Sequence, residues 1–269
     1  MKKRYKDILI FIIGLVLCAY PIISNMIEYH NQNKVIMTYE SESQELTQQM
    51  MDQMYADAMK WNEDIYMAQK GISTYDSDQY DDILNISDGV MGSIEIPNID
   101  VNLPIYHGTN DEVLSIGAGH LEDTSLPIGG KNTHCVLTGH RGLPSSKLFT
   151  RLDELKIGDM FYIHVLNEIH AYEIDDITVV DPEDVTGFEI EDEKDLVSLV
   201  TCTPYGINTQ RLIVTGHRVK YIAEEKEAIE KKLPSLREII FMMIPVSLLV
   251  VGSIYFIKSR KEKKDEETH

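Results

Sequence analysis

Cysteine is scarce in this sequence of 269 residues, and the shortage excludes a protein held together by several disulfides. The three cysteines are Cys18, Cys135 and Cys202. Cys135 lies in a predicted strand, where a cysteine is most often a small buried hydrophobe. A single bond between Cys135 and Cys202 stays open as an alternative, and it would remove the free thiol at Cys202.

Basic residues are also few, at 25 Lys and Arg against 44 Asp and Glu, which gives a net charge of -19. An acidic surface repels phosphates, so neither nucleic acid nor an anionic lipid surface is expected as a partner. The most acidic stretch, residues 181–195, lacks the spacing of an EF-hand calcium loop. We interpret it as a solvated loop rather than a calcium site, and we expect neither a metal nor a cofactor.

Two apolar runs, Ile8 to Ile23 and Ile239 to Ile257, are predicted to cross a membrane. The first lacks a small-residue cleavage site, which favours an uncleaved anchor over a signal peptide. Lysine and arginine lie before the first run and after the second, so the positive-inside rule places both termini in the cytoplasm. Residues 24–238, with 16 basic and 39 acidic residues, are then extracellular.

Between these runs the pattern predicts a mainly β fold after a helical segment. Residues 24–88 are predicted to form one or two helices and a loop, with Trp61 anchoring a helix to the domain. Residues 89–220 hold short β-prone segments bounded by turn formers, which indicate a closed or nearly closed barrel. The segments are Val90–Ile96, Val101–Tyr106, His134–Thr138, Met160–Val165, Ala171–Val180, Leu196–Thr201 and Arg211–Val219. A charged helical linker is predicted over residues 221–238, and residues 258–269 form a cytoplasmic tail.

Cys202 follows a predicted strand and precedes a turn-rich segment, which suits an accessible nucleophile. A thiol with an ordinary pKa needs a base or a cation nearby. The tetrapeptide Thr-Gly-His-Arg occurs twice and supplies two histidines, His140 and His217. If Arg211 begins the strand that returns from the Cys202 turn, His217 lies about 20 Å further along it, too far to act as the base.

His140 has the same placement as Cys202, at the end of its own strand, and is the predicted base. Arg211 lies nine residues after Cys202, so the hairpin is expected to bring the two together. A guanidinium can donate hydrogen bonds to a carbonyl or an oxyanion. From the residues alone, an ordinary strand-surface arginine is an equal alternative.

These residues resemble the sortases, cysteine transpeptidases of Gram-positive bacteria, and most closely the pilus-assembling class C. The family signature Thr-Leu-x-Thr-Cys is similar to Ser198-Leu-Val-Thr-Cys202, in which serine retains the hydroxyl of the first threonine. The segments 92–109, 137–144 and 203–212 resemble three further stretches of class C sequence.

The resemblance implies a closed barrel of about eight strands, N-terminal helices and two flanking transmembrane helices. It implies Cys202 as nucleophile, His140 as acid and base, and Arg211 as binder of substrate and oxyanion. Thr201 and Tyr205 are then expected to contact the substrate. Class C enzymes often carry an Asp-Pro-aromatic lid; residues 74–78 contain no Asp-Pro pair, so Tyr75 or Asp76 is expected in its place.

The function so implied is that of a membrane-anchored enzyme that cleaves a Leu-Pro-x-Thr-Gly-like (LPXTG-like) sorting signal between Thr and Gly through a thioacyl intermediate. The acceptor is expected to be a lysine amine of a pilin. One alternative is a housekeeping sortase that joins surface proteins to a peptidoglycan precursor. Another, from a different class, is a surface binding module without catalytic activity.

Overall fold

The computed structural model describes residues 2–184, 186–231, 233 and 236–266. The chain divides into two compact units, one comprising Met1–Ile27 and Leu233–His269, the other Glu28–Lys232. The helices are α1 Lys2–Glu45, α2 Gln48–Gln69, α3 Asp111–Ile116, α4 Ala223–Glu227 and α5 Leu236–Glu266. The strands are β1 Val90–Ile96, β2 Val101–His107, β3 Ala118–His120, β4 Thr133–Thr138, β5 Met160–Val165, β6 Glu168–Val180, β7 Asp195–Thr203 and β8 Gln210–Val219.

Eight strands close into a barrel in the order β1-β2-β3-β4-β7-β8-β6-β5, which confirms the predicted closed barrel of about eight strands with N-terminal helices. The strands form because apolar residues alternate along them, so that one set of side chains fills the interior. Buried residues such as Leu137 on β4, Leu199 on β7 and Val214 on β8 belong to the main core. Within the sheet, β4 and β7 run parallel, whereas β7 and β8 form an antiparallel hairpin.

The sequence predicted seven of these strands and missed β3. This strand has only three residues, Ala-Gly-His, and Gly119 lowers its own β propensity. β3 pairs in parallel with β2 and antiparallel with β4. Its extended conformation is therefore imposed by its neighbours, which no local pattern reveals.

The N-terminal helices pack on the barrel through buried polar anchors. In α1, the Tyr39 hydroxyl donates to Met91 O at 2.9 Å and accepts from Leu166 N at 2.9 Å. In α2, the buried Trp61 donates its indole N–H to Thr124 O at 3.3 Å, which confirms its anchoring role. These bonds satisfy polar groups that would be costly to bury alone.

Within residues 221–238, the predicted charged helical linker, α4 covers Ala223–Glu227 and α5 begins at Leu236. Two lysines of this segment bind carboxylates of the barrel unit. Lys226 Nζ lies 2.6 Å from Glu95 Oε2, and Lys231 Nζ lies 2.5 Å from Asp100 Oδ1. These two ion pairs dock the segment on the barrel, and the segment is not one continuous helix.

Among the described residues, one helix is long and apolar enough to cross a membrane, and it contains the first predicted span. From Ile8 onward, α1 is long and apolar enough to cross a membrane. The corresponding apolar stretch of α5 is shorter, Met242–Tyr255. The second span therefore stays a prediction.

Candidate active site

Cys202 and Arg211 are directly opposite each other on β7 and β8. Residues paired in this way in an antiparallel ladder have Cα atoms about 4.5–5.5 Å apart. The sequence predicts Cys202 just beyond the end of its strand. In the structure β7 continues to Thr203, so Cys202 is the penultimate residue of the strand. The hairpin thus places the side chains of Cys202 and Arg211 on the same face of the sheet. The Arg211 guanidinium donates from Nη1 to Gln210 O at 3.3 Å.

His140 lies beside this pair, because β4 and β7 run in parallel register up to Thr138 and Val200. The chain then continues in step for one more residue, since Gly139 N donates to Val200 O at 3.0 Å. His140 and Cys202 each follow the last paired residue of their strand, Thr138 or Val200, by two positions. Neighbouring strands are about 5 Å apart, so this register brings imidazole and thiol to the same end of the sheet.

The local backbone of His140 is held by close packing on both sides. The Thr201 hydroxyl donates to Gly139 O at 2.7 Å, and Phe149 N donates to His140 O at 3.2 Å. A Cβ on Gly139 would lie 2.6 Å from Cδ2 of Phe149, so the ring approaches the backbone more closely than any larger residue allows. The loop after β4 therefore has a defined path.

His140, Cys202 and Arg211 are each half-buried, a degree of exposure that leaves them accessible to a substrate while the barrel orients them. All three cysteines are free thiols, and Cys135 is buried in the core as the sequence predicted. Burial raises the pKa of the Cys135 thiol well above its ordinary value, which makes it a poor nucleophile.

An apolar patch covers the outer face of the barrel next to the thiol. Val136, Val200 and Ile213 form a cluster separate from the main core. Leu121, Val180 and Phe188 pack against it. Alternate residues of a strand share a face, so Val200 and Cys202 lie on the same side of β7, and the patch continues towards the thiol.

His134 closes one end of this patch, a role that its sequence context did not indicate. Its ring is buried and bonds to Ser198 Oγ at 2.8 Å and to Glu189 O at 3.0 Å. Burial lowers its pKa below the ordinary value, although the Glu189 carbonyl opposes the change. A neutral ring can donate to the carbonyl and accept from the hydroxyl, so His134 ties the β6–β7 connection to the barrel.

His217 lies where the geometric argument placed it, away from Cys202. It is opposite Leu196 at the other end of β7. Its Nδ1 atom bonds to Asp175 Oδ2 at 2.9 Å at the surface. The histidine of the second tetrapeptide is therefore remote from the thiol, as predicted.

The remaining predicted residues divide into near and distant ones. Thr201 is adjacent to Cys202 but buried, with its hydroxyl engaged by Gly139. Tyr205 lies in the turn after Cys202 and is 38% exposed. Tyr75 donates its hydroxyl to the Asp123 carboxylate and packs edge-on against Trp61 at 5.5 Å. Their substrate and lid roles stay predictions.

Asp76 accepts a hydrogen bond from Asp78 N at 3.0 Å and so caps the short 3-10 helix Ser77–Asp82. The candidate lid segment is thus held locally by its own turn. Across the described part of the chain, no group of three or more His, Cys, Asp or Glu residues is arranged to hold a metal ion.

Comparisons with known proteins agree with this fold and site. The family model described as the sortase domain matches residues 94–219. The crystal structure of sortase C1 from Streptococcus agalactiae is 42% identical in sequence, with a TM-score of 0.67. The match covers 70% of this chain and 100% of the sortase C1 chain. Clostridium perfringens sortase C is 44% identical, with a TM-score of 0.63, and covers 70% and 99%. Sortase A of Listeria monocytogenes is 29% identical over 242 residues, 87% of this chain and all of its own.

A closed eight-stranded barrel that carries a thiol, an imidazole and a guanidinium at adjoining strand ends defines a cysteine transpeptidase of the sortase type. The chain belongs to the sortase family. The solved structures compared above are class C members, and pneumococcal sortase C, at 37% identity, is another structure of this class that the chain resembles.

Proposed function

We propose that this chain is a membrane-anchored class C sortase that cleaves an LPXTG-like sorting signal between Thr and Gly and transfers it to a lysine amine of a pilin. The observation that carries the proposal is the direct pairing of Cys202 with Arg211 on one side and the register of His140 on the other. Thiol, proton carrier and oxyanion donor are the three groups that acyl transfer from an amide needs.

In the proposed reaction, the Cys202 thiolate attacks the carbonyl carbon of the signal threonine. The Arg211 guanidinium donates hydrogen bonds to the oxyanion that forms. Protonated His140 gives its proton to the nitrogen of the leaving glycine as the C–N bond breaks, which leaves a thioester on Cys202. A lysine amine then attacks the thioester, the new C–N bond forms, and the amine proton passes to His140 as the thiolate leaves.

The apolar patch supports a substrate with an apolar residue upstream of the cleaved bond. Val136, Val200 and Ile213 extend along the face that carries Cys202. These three residues are buried, so a leucine side chain of the signal would pack on the half-buried Leu121, Val180 and Phe188 above them, where complete burial would contribute about 1.5–3 kcal/mol to binding. Tyr205 and the turn around it are exposed beside the thiol, which suits a contact with the same peptide.

The class C matches favour a pilin as the acceptor protein. The Clostridium perfringens structure is described as sortase C with a C-terminal cell wall sorting motif, and the pneumococcal work concerns pilin substrate specificity. Identity to these class C structures is 44% and 37% over 70% of the chain, against 35% over 46% for Streptococcus agalactiae sortase A and 29% over 87% for Listeria sortase A. The housekeeping alternative predicts transfer to a cell-wall amine instead.

For localisation, we propose two membrane spans with both termini in the cytoplasm and the barrel outside the cell. The apolar length of α1 supports the first span. The lysine and arginine residues that flank both apolar runs support the orientation. Protease added outside intact cells should cleave the barrel but spare tags at both termini.

The test uses the full-length protein in detergent with an LPXTG-like peptide and a pilin that presents a reactive lysine. We expect a peptide adduct at Cys202 by mass spectrometry and an isopeptide product, both abolished in Cys202→Ala. Cys135→Ala is the matched control, because that thiol is buried, and it should retain transfer.

Retained transfer in Cys202→Ala would exclude Cys202 as the nucleophile. Transfer to a peptidoglycan precursor in preference to the pilin would establish the housekeeping alternative. Binding of the peptide without any adduct in the wild-type protein would identify a binding module.

A further inference from the structure

Arg141 follows His140 and has a buried side chain with exceptionally specific contacts. Only 2% of the side chain is exposed. A buried guanidinium is costly unless its N–H groups and its charge are matched. Among the described residues its Nε–H has no hydrogen-bond partner, so the contacts of the two terminal nitrogens show what the residue holds together.

The two terminal nitrogens of Arg141 contact both sides of the site. Nη1 donates to Thr203 Oγ1 at 2.9 Å and to Cys202 O at 3.5 Å. Nη2 pairs with the carboxylate of Asp153 in the loop that follows His140. One rigid fork thus joins the histidine loop to the strand end that carries the thiol.

The packing around Arg141 reinforces this connection. Its guanidinium lies over the Tyr205 ring, 5.9 Å from the centroid. Gly142 has a φ of +81° and a Cβ there would lie 2.9 Å from Tyr205 Cε2, so a larger residue would displace the ring. The turns after His140 and after Cys202 therefore fit against each other at Arg141.

We propose that Arg141 is a positioning residue, which fixes the Cys202 thiol relative to the His140 imidazole through the Thr203 hydroxyl and the Asp153 carboxylate. The inference rests on the proposed function, because it assigns the spacing of that thiol and that imidazole. Arg141 itself is too buried to touch a substrate. Misplacement of reacting groups by about 1 Å can cost 100-fold in rate, so the contacts need not be large in energy to matter.

Arg218, the last residue of the second tetrapeptide, provides a matched control. It lies 3.5 Å from an Asp195 carboxylate oxygen and over the Tyr172 ring at 5.6 Å, a pairing of the same kind as that of Arg141. On β8 it stands seven residues beyond Arg211, about 23 Å along the strand. A substitution at Arg218 therefore removes similar contacts far from the thiol.

The experiment compares Arg141→Met, Arg218→Met, Thr203→Val and Thr203→Ser in the full-length protein in detergent. We measure kcat and KM for peptide transfer, the rate of Cys202 alkylation by iodoacetamide without substrate, and Tm. Thr203→Val removes only the hydroxyl and retains the shape of the side chain, so it tests the contact even if Arg141→Met folds poorly.

We expect Arg141→Met and Thr203→Val to lower kcat roughly 10- to 100-fold with little change in KM, and to slow alkylation of Cys202. Arg218→Met should lose less Tm than Arg141→Met, because the Arg218 side chain is 32% exposed against 2% for Arg141, and it should retain kcat and the alkylation rate. Thr203→Ser should restore wild-type kcat.

Wild-type kcat and alkylation in Thr203→Val would overturn the proposal, as would equal losses of kcat in the two arginine variants. Failure of the proposed function is distinct from these results, since it appears as transfer that survives in Cys202→Ala. The alkylation arm needs no sorting peptide and decides the inference even if the wild-type protein transfers none of the peptides tried.

Discussion

The two copies of Thr-Gly-His-Arg, residues 138–141 and 215–218, have the same sequence and different positions relative to a strand. The first begins on the last residue of β4, so its histidine and arginine lie in the loop beyond the strand. The second lies inside β8, which continues to Val219. Consequently His140 lies at the same end of the sheet as Cys202, whereas His217 remains on the strand surface with Asp175.

The glycine and arginine of the two copies have similar surroundings. Gly139 packs under Phe149, and Gly216 packs under Phe161, with ring atoms 2.6 and 2.7 Å from the position of an added Cβ. Each arginine pairs with an aspartate and lies over a tyrosine ring. The tetrapeptide is therefore a packing element in both places, and only the end of β4 places the histidine of one copy in the candidate active site.

Substitution of the two histidines is expected to give the largest difference in activity between the copies. His140→Ala should lower kcat/KM for peptide transfer by about 100- to 10,000-fold, the usual contribution of a general acid and base. His217→Ala should stay within about twofold of wild type, because its partner is a surface carboxylate. Initial rates with one peptide and one amine measure both. Loss of activity in His217→Ala with normal rates in His140→Ala would reverse the assignment.

A smaller difference is expected at the glycines. Gly139→Ala forces a methyl group against a phenylalanine ring, and Gly216→Ala forces one against a phenylalanine ring and against Glu173 O at 2.9 Å. Overpacking of this kind costs about 1–3 kcal/mol of unfolding free energy. Urea denaturation should show a loss in both variants, at least as large in Gly216→Ala. Only Gly139→Ala should also lower kcat, because it displaces the backbone of His140.

Unchanged kcat in Gly139→Ala at normal stability would show that the His140 loop tolerates displacement. A fall in kcat in Gly216→Ala would show that packing at the far end of β8 reaches the active site. The two glycines therefore test whether the copies differ in position alone.

Much of the fold and of the candidate site could be predicted from local patterns. Short apolar segments bounded by turn formers located seven of the eight strands. The spacing of Cys202 and Arg211 across a turn predicted that a hairpin would join them, and the structure pairs them directly. The strand-end position of His140 distinguished it from His217 because strand geometry converts residue number into distance.

The contacts of Arg141 and His134 could not be predicted, since their partners are distant in sequence. Arg141 binds Thr203, 62 residues away, and His134 binds Ser198, 64 residues away. Only closure of the barrel brings β4 beside β7. The sequence held one indication of a role for Arg141. Both tetrapeptides contain the arginine as well as the histidine.

The smallest expected effect concerns the pKa of His170, which lies beside Arg218 of the second copy. Burial is the largest cause that lowers the pKa of His170 to about 3, and repulsion by the adjacent Arg218 guanidinium is the second cause. Nε2 of His170 lies 3.1 Å from Glu168 Oε2 without hydrogen-bonding geometry. Neutral His170 therefore stabilises the fold at pH values above about 6.5, and this stabilisation is lost as pH falls from 6.5 towards 3.

In Arg218→Met we expect the pKa of His170 to rise, because a repelling cation is removed, but to stay below 6.5, because burial is the larger cause. The pH window over which stability is lost should narrow accordingly. An NMR titration of the His170 ring measures the shift, and Arg141→Met, which leaves these contacts intact, should not move it. A His170 pKa near 6.5 in the wild-type protein, or one that falls in Arg218→Met, would contradict this description of the second copy.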